Sequence, residues 1–281
     1  MTARTVRRGR LRGRVTAPPS KSYTHRALVA GYLSGRRFWV DSPLDSDDTR
    51  ATARALRRLG ASISPSARGW IIVPPARTES SRPIEIDCGE SGTTLRLSTA
   101  LAALGRRPTR FRGHGRLSLR PMRPLIKALT ELGADVRPGR GNVLLTVTGP
   151  IHGGRVRLDA SESSQFATAL LLVLPTLAED SRILLEGRIV SEPYLEATTA
   201  ILRRLGVVAE RRGREFRIPG GQRYAGRRFR VPGDASSAAY FWVGAAISGG
   251  SVAVAGVTRE WPQADLAVLD LLVRAGADVR E

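Results

Sequence analysis

The chain has 281 residues, 42% hydrophobic and 25% charged, enough for one large or two medium globular domains with real cores. It has no run of about 18 apolar residues, which argues against a membrane-spanning helix. Its single cysteine, Cys88, excludes an internal disulfide framework and suits a reducing cytoplasm, and the scattered His25, His114 and His152 lack metal-ligand spacing, so no metal site is expected. The formal net charge is +20, almost all of it arginine, with Lys21 and Lys127 the only lysines. Such a charge fits either a nucleic-acid-binding protein or a basic protein with a site for polyanionic small molecules. The arginines run along the whole chain and aromatics, at 5%, do not interleave with them, which disfavours nucleic acid. Where arginine is the rule, a lysine at position 21 suggests a need for a point-charge ammonium.

In chain order, Met1 to Arg14 is Arg-rich and acid-free. It reads either as a transit peptide or as a short strand with basic flanks built on Val6, Leu11 and Val15; the poor serine content favours the strand. Pro18-Pro19 ends that strand, and Ser20-Lys21-Ser22 opens a helix running to Leu33, with Ser20 or Ser22 as its cap. A strand at Phe38–Val40 follows, then Ser46-Asp47-Asp48-Thr49 capping a helix over 50–59, then a hairpin of 61–63 with 70–73. Next come a strand at 84–86, a helix from Ser91-Gly92-Thr93-Thr94 to Leu104, and a hairpin of 134–136 with 143–147. The third stretch has a strand at 156–158, a helix over 166–177, a strand at 183–185, a helix over 194–205, and a hairpin of 207–209 with 215–218. The last has strands at 229–231 and 251–254, helices over 238–247 and 264–275, and the first strand of a hairpin at 277–279.

Two markers give this order a period. Helix-ending glycines at 60, 133, 206 and 276 are spaced by 73, 73 and 70 residues, each where a C-cap needs positive φ. Polar helix starts at Ser22, Thr93, Ser164 and Ser237 are spaced by 71, 71 and 73. The chain is therefore a repeat of about 70 residues with α/β (α+β) layering. Pro232-Gly233 marks a boundary: an upper domain of three units over 19–231, and a partial lower domain made of 1–18 plus 232–281. Repeated helices share a direction, so their N-termini converge and present free N–H groups and a fractional positive charge. Lys21, Arg26, Arg96, Arg120, Gln165 and the Ser/Thr clusters near these ends point to one phosphorylated or carboxylated ligand. The Ser/Thr residues also have a purely structural reading as ordinary caps. No Ser-His-Asp or Cys-His nucleophile pattern and no dinucleotide or Walker loop is present, so the residues point to cofactor-free chemistry on anionic small molecules.

The stretch from Pro19 to Ala27 resembles the enolpyruvyl transferase family, on the branch that uses shikimate 3-phosphate and in a spelling like that of archaeal members. The likeness continues through Ser46-Asp47-Asp48-Thr49, 88–96, Arg120-Pro121-Met122, Ser163-Ser164-Gln165-Phe166, Ser191-Glu192-Pro193-Tyr194 and 233–237. The sister branch that uses UDP-N-acetylglucosamine shares the fold and matches these motifs less well. A non-catalytic, basic nucleic-acid-binding protein on the same scaffold is the alternative from a different class. The resemblance implies a fold of repeated βαβαββ units, inverse α/β barrel-like, in two domains of three units each. This chain would then hold three upper units and one partial lower unit, a chain shortened at its C-terminal side. It also implies transfer of the enolpyruvyl group of phosphoenolpyruvate to the 5-hydroxyl of shikimate 3-phosphate, by addition and elimination, in a cytoplasmic monomer with no metal or cofactor.

Carried onto this sequence, the resemblance makes Lys21 the catalytic residue, touching both substrates. Ser22, Arg26, Ser163, Ser164, Gln165 and Ser191 would bind shikimate 3-phosphate, with Tyr194 packing nearby. Gly92, Arg120 and Gln165 would bind phosphoenolpyruvate. Asp47, Asp48 and Asp234 are expected to cap helices or order the domain junction. Two departures stand out. Glu90 replaces an asparagine, and either weakens anion binding or pairs with an arginine; His114 replaces an acidic residue. The family's acid–base carboxylates and further arginines fall in motifs this sequence does not contain, so this stretch is expected to bind without turning over.

Overall fold

The computed structural model describes residues 9–75 and 82–280. Contacts divide the chain into two units, one of Lys21–Val231 and one drawn from the described residues of 1–20 and 232–281. The first strand, β1 (Arg12–Thr16), belongs to the smaller unit.

The larger unit repeats one plan three times. Its first segment is α1 (Lys21–Leu33), β2 (Phe38–Asp41), α2 (Asp47–Arg58) and the hairpin β3 (Ser62–Ser66) and β4 (Gly69–Val73). The second is β5 (Ile84–Asp87), α3 (Gly92–Ala102), β6 (Thr109–Arg112), α4 (Arg123–Glu131), β7 (Asp135–Pro138) and β8 (Val143–Thr148). The third is β9 (Arg155–Asp159), α5 (Gln165–Val173), β10 (Ser181–Glu186), α6 (Pro193–Arg204), β11 (Glu210–Arg212) and β12 (Glu215–Ile218); β13 (Arg228–Arg230) follows. Three four-stranded sheets result, ordered β13-β2-β4-β3, β5-β6-β8-β7 and β9-β10-β12-β11. Each has one parallel pair followed by two antiparallel pairs.

The helices lie inside and divide into two kinds. Helices α1, α3 and α5 are apolar or small on nearly every face, and from Tyr23 to Gly31, Thr94 to Ala102 and Phe166 to Val173 every residue is buried. Gly31 lets α1 sit against its sheet: a Cβ there would lie 2.7 Å from Ile72 Cδ1. Helix α2, by contrast, turns Ala51, Ala55 and Leu56 inward and Arg50, Arg54, Arg57 and Arg58 outward. The four helix-ending glycines, Gly60, Gly133, Gly206 and Gly276, all take positive φ, as their spacing predicts.

Three sequence expectations change. The strand expected at 229–231 to lead the fourth repeat lies elsewhere: β13 pairs in parallel with β2, Phe229 beside Val40, and completes the first sheet. Reciprocally, β1 pairs in parallel with β14 (Ser251–Ala255), so each unit's lead strand comes from the far side of the Pro18-Pro19 or Pro232-Gly233 junction. These junctions run side by side: Ser20 N–H donates to Pro232 O at 2.8 Å and Asp234 N–H to Pro18 O at 2.7 Å. A Cβ on Gly233 would lie 2.6 Å from Gly256 O, so glycine is required there. The expected strand at 207–209 forms only at 210–212, because the Gln222 amide takes both polar groups of Val208, at 2.7 and 2.8 Å. The expected strand at 277–279 does not form; Val279 packs instead against Ala235, Leu266 and Leu269.

The smaller unit contains α7 (Ala235–Ser248) and α8 (Ala267–Arg274) beside β1 and β14. Helix α7 is capped by Asp234, whose carboxylate accepts from Ser237 N–H at 3.0 Å and from its hydroxyl at 2.8 Å. Among the described residues no helix is long and apolar enough to cross a membrane.

Candidate active site

The starts of five helices in the larger unit are tied into a closed ring of side-chain hydrogen bonds. From α1, His25 Nδ1 meets Thr52 Oγ1 of α2 at 2.8 Å. Thr52 Oγ1 meets Thr94 Oγ1 of α3 at 2.7 Å. One residue earlier, Thr93 Oγ1 accepts from Gln165 Nε2 of α5 at 3.1 Å. Thr168 of α5 meets Thr198 of α6 at 3.0 Å. Arg26 closes the ring back to α1, donating from Nε to Thr198 Oγ1 at 2.9 Å, from Nη2 to Tyr194 O at 2.9 Å and Thr168 Oγ1 at 3.3 Å, and from Nη1 to Ser22 O at 2.8 Å. Buried hydroxyls and a buried guanidinium therefore satisfy one another and fix how the helix ends meet.

The caps are built locally. Ser46 and Thr49 form a capping box on α2, and Ser91 Oγ accepts from Thr94 N–H at 3.2 Å to cap α3. Asp48, expected as a cap, instead holds Lys21 Nζ at 3.0 Å. Ser22, expected as a possible cap, lies within α1, which begins at Lys21. Ser164 is buried and makes no side-chain cap; Ser163 Oγ accepts from Gln165 N–H at 3.2 Å.

These contacts bring most of the expected site residues into one neighbourhood. Lys21 reaches Asp48, and the Thr94 hydroxyl lies 3.2 Å from Asp48 O and 2.9 Å from Ser91 Oγ. Gly92 follows Ser91, and a Cβ on it would lie 3.9 Å from both Arg120 Cγ and Arg96 Nη1. Arg96 Nη1 donates to Gln165 Oε1 at 2.7 Å and Ser163 Oγ at 3.3 Å. On the other flank Tyr194 N–H donates to Ser191 O at 3.0 Å, and Ser191 holds φ at +55°, a left-handed conformation at the mouth of α6. Arg26, expected to bind phosphate directly, is only 4% exposed and spends its guanidinium on the ring. Glu90 forms no ion pair among the described residues; its carboxylate lies where a Cβ on Gly115 would be. His114 lines a separate cleft with Arg54, Arg58 and Arg112.

Electrostatics separate the exposed from the buried groups. Burial pushes Asp48 up, but the Lys21 ammonium, His25 and the Ser91 hydroxyl together hold it below the usual carboxylate range. Burial pulls Arg26 and Arg96 down to about 10, in Arg96 with help from the like charge of Arg120; both stay cationic at neutral pH. Burial also lifts Cys88 to about 12, which leaves it an inert thiol. His25 is driven down to about 3, mainly by burial, and its Nε2 has no partner among the described residues. It folds neutral, whereas the unfolded chain protonates it near 6.5. Stability is therefore expected to fall as pH drops from about 6.5 towards 3, by up to roughly tenfold in the folding equilibrium per pH unit. Thermal melts from pH 7.5 to 4.5 should show a shallower acid limb in His25→Gln, and equal limbs would contradict this origin.

Sequence reasoning singled out the serines and missed the threonine links. Thr52 and Thr198 are each the sixth residue of their helix, flanked by alanine on at least one side. That shared position was the available signal.

A helix-cored unit of three like sheets, with cationic and hydroxyl groups gathered at its helix starts, defines the enolpyruvyl transferase fold. The chain belongs to the EPSP synthase (3-phosphoshikimate 1-carboxyvinyltransferase) family, whose sequence profile matches residues 6–281. It is 42% identical over 283 residues to the 3-phosphoshikimate 1-carboxyvinyltransferase of Halobacterium salinarum strain R1, covering 98% of this chain and 65% of that protein. It is 40% identical over 290 residues to the enzyme of that name from Methanoculleus marisnigri, covering 99% and 67%. The EPSP synthase structure from Acinetobacter baumannii superposes with a TM-score of 0.79 at 25% identity, over 96% of this chain and 61% of that one. The chain thus spans about 65% of the length of the curated relatives it matches.

Proposed function

We propose that this chain carries the shikimate 3-phosphate and phosphoenolpyruvate-binding half of an EPSP synthase. The observation that carries the reading is the run of contacts from Lys21 through Asp48, Thr94, Ser91 and Gly92 to Arg120, Arg96, Ser163 and Gln165. Ser22, Ser163, Ser164, Gln165 and Ser191 bind shikimate 3-phosphate, with Arg26 fixing the α1 and α6 ends around it and offering its remaining Nη1 hydrogen. Gly92, Arg120 and Gln165 bind phosphoenolpyruvate. Lys21 serves both ligands, its ammonium passing from Asp48 to the anions.

In the reaction the 5-hydroxyl gives up its proton as its oxygen bonds to the central carbon of phosphoenolpyruvate, and the carbon–carbon π bond breaks as the methylene carbon gains a proton and becomes a methyl. Loss of a proton from that carbon and of phosphate from the resulting ketal restores the double bond. Lys21 offsets the negative charge gathered at the reacting centre. Residues 19–231 act as an upper domain and 1–18 plus 232–281 as part of a lower one, in a cytoplasmic monomer without metal or cofactor. Binding is proposed for this stretch, and turnover for a polypeptide that also carries the remaining third of the family's length.

Calorimetric titration of the 281-residue chain with shikimate 3-phosphate tests the reading. Saturable binding supports it. Salt-sensitive DNA binding with no response to shikimate 3-phosphate would overturn it, and rapid phosphate release by this chain would overturn the division between binding and turnover. Gly92→Ala gives a finer test. Its Cβ would meet only ordinary contacts of 3.9 to 4.0 Å, and alanine suits a helix better than glycine, so the melting temperature should hold or rise. The methyl fills space beside Arg120, so phosphoenolpyruvate affinity should fall roughly tenfold, about 1.4 kcal/mol, with shikimate 3-phosphate affinity unchanged. Equal losses for the two ligands would count against the assignment of Gly92.

A further inference from the structure

Arg96 holds a place that neither ligand assignment uses. It is only 6% exposed and lies over the Phe166 ring, 4.9 Å from its centroid. Nη1 donates to Ser163 Oγ and Gln165 Oε1; Nη2 donates to Pro121 O at 3.0 Å. One guanidinium thus bridges the start of α5 and the turn that carries Arg120. Gln165 is clamped at both ends of its amide, with its oxygen on Arg96 and its nitrogen on Thr93. The amide orientation follows from chemistry, since arginine can only donate.

We infer that Arg96 is a positioning residue that couples the two ligand edges of the site, so that a ligand held by Ser163 and Gln165 sets the Pro121–Arg120 turn for the second ligand. The inference rests on the functional reading above. Its physical basis is the planar fork of arginine: two nitrogens at fixed separation cannot serve two segments independently. Anything that fixes the α5 end of the fork narrows the geometry open to the other end, and through Pro121 it fixes the backbone of Arg120. A lysine at this position keeps the charge and the packing on Phe166 but cannot bridge both segments.

Hydrogen exchange on the full chain, with and without saturating shikimate 3-phosphate, reads this coupling without requiring turnover. In the unmodified chain the ligand should slow exchange several-fold both at 163–168 and at 117–122. In Arg96→Lys and Arg96→Gln, protection should persist at 163–168 and vanish at 117–122. Arg96→Lys keeps the buried charge and therefore the fold, so it carries the test if Arg96→Gln does not fold. Protection at 117–122 that survives in the variants, or that is missing from an unmodified chain that does bind, would overturn the coupling alone. An unmodified chain that fails to bind shikimate 3-phosphate would overturn the functional reading and this inference with it.

Discussion

Replacing Arg26 by methionine is expected to destabilise the Lys21–Val231 unit by about 3–5 kcal/mol, a large part of the 5–15 kcal/mol that holds a typical domain together. The side chain is buried, so methionine replaces its bulk but none of its four donated hydrogen bonds. Thr168 and Thr198 keep their mutual bond and Thr198 keeps its bond to Tyr194 O, which caps the loss. Ser22 O loses its Arg26 donor, and the first turns of α1 and α6 lose the bridge between them. Arg26→Lys should recover only part of the loss, because an ammonium on a flexible stem cannot reproduce a fork that spans three segments. Urea denaturation followed by circular dichroism measures the effect, and an unchanged midpoint in Arg26→Met would show that the ring does not hold the helix starts.

Lys21→Met is expected to show the opposite balance. The Lys21–Asp48 pair is half exposed, so its removal should change stability by less than about 1 kcal/mol. Affinity for shikimate 3-phosphate should fall roughly 30- to 100-fold, the worth of a lost charge-assisted hydrogen bond, about 2–3 kcal/mol. The Asp48 carboxylate, left without its cation, adds repulsion towards an incoming phosphate. Lys21→Arg should not restore binding fully, since the guanidinium is larger and prefers to fork onto Asp48. Paired calorimetry and melting of the three proteins decide the matter; a variant that loses stability as much as affinity would make Lys21 a structural residue.

Much of this molecule was legible in its sequence because its signals are local. A glycine that must take positive φ, a serine three residues before a threonine and an alanine-rich run without a polar face each state their role within one helical turn. Gly60, Ser46 and Ala27–Ala30 are such cases. What was not legible depends on partners far along the chain. Nothing near Phe229 says that its parallel neighbour is Val40 rather than a strand of the next repeat. Val207–Ala209 has every local mark of a strand, and the Gln222 side chain that displaces the pairing lies beyond the hairpin.

The site divides in the same way. Lys21, Gly92, Ser163 and Gln165 stand in polar clusters at helix starts and announce themselves. Thr52, Thr168 and Thr198 sit in alanine- and leucine-rich helices, where a buried threonine looks like filler of similar size. Arg26 has a second role of the same hidden kind, tying α1 to α5 and α6. An arginine one turn into a helix announces a ligand contact, while its structural links show only once its burial and its protein acceptors are known.

The borrowed lead strand has a consequence for how the chain is made. During synthesis β2 emerges early, but its parallel neighbour is not present until Arg228–Arg230 has left the ribosome. At roughly 5–20 residues per second that gap lasts on the order of 10–40 s. Throughout it the backbone donors and acceptors along one side of Phe38–Asp41 have no strand to meet, while the second and third sheets, which draw on their own stretches alone, can close as soon as they appear. Within the Lys21–Val231 unit the first segment to be translated is thus the last to be finished, and β2 stays open to mispairing with a neighbour until Arg228–Arg230 appears.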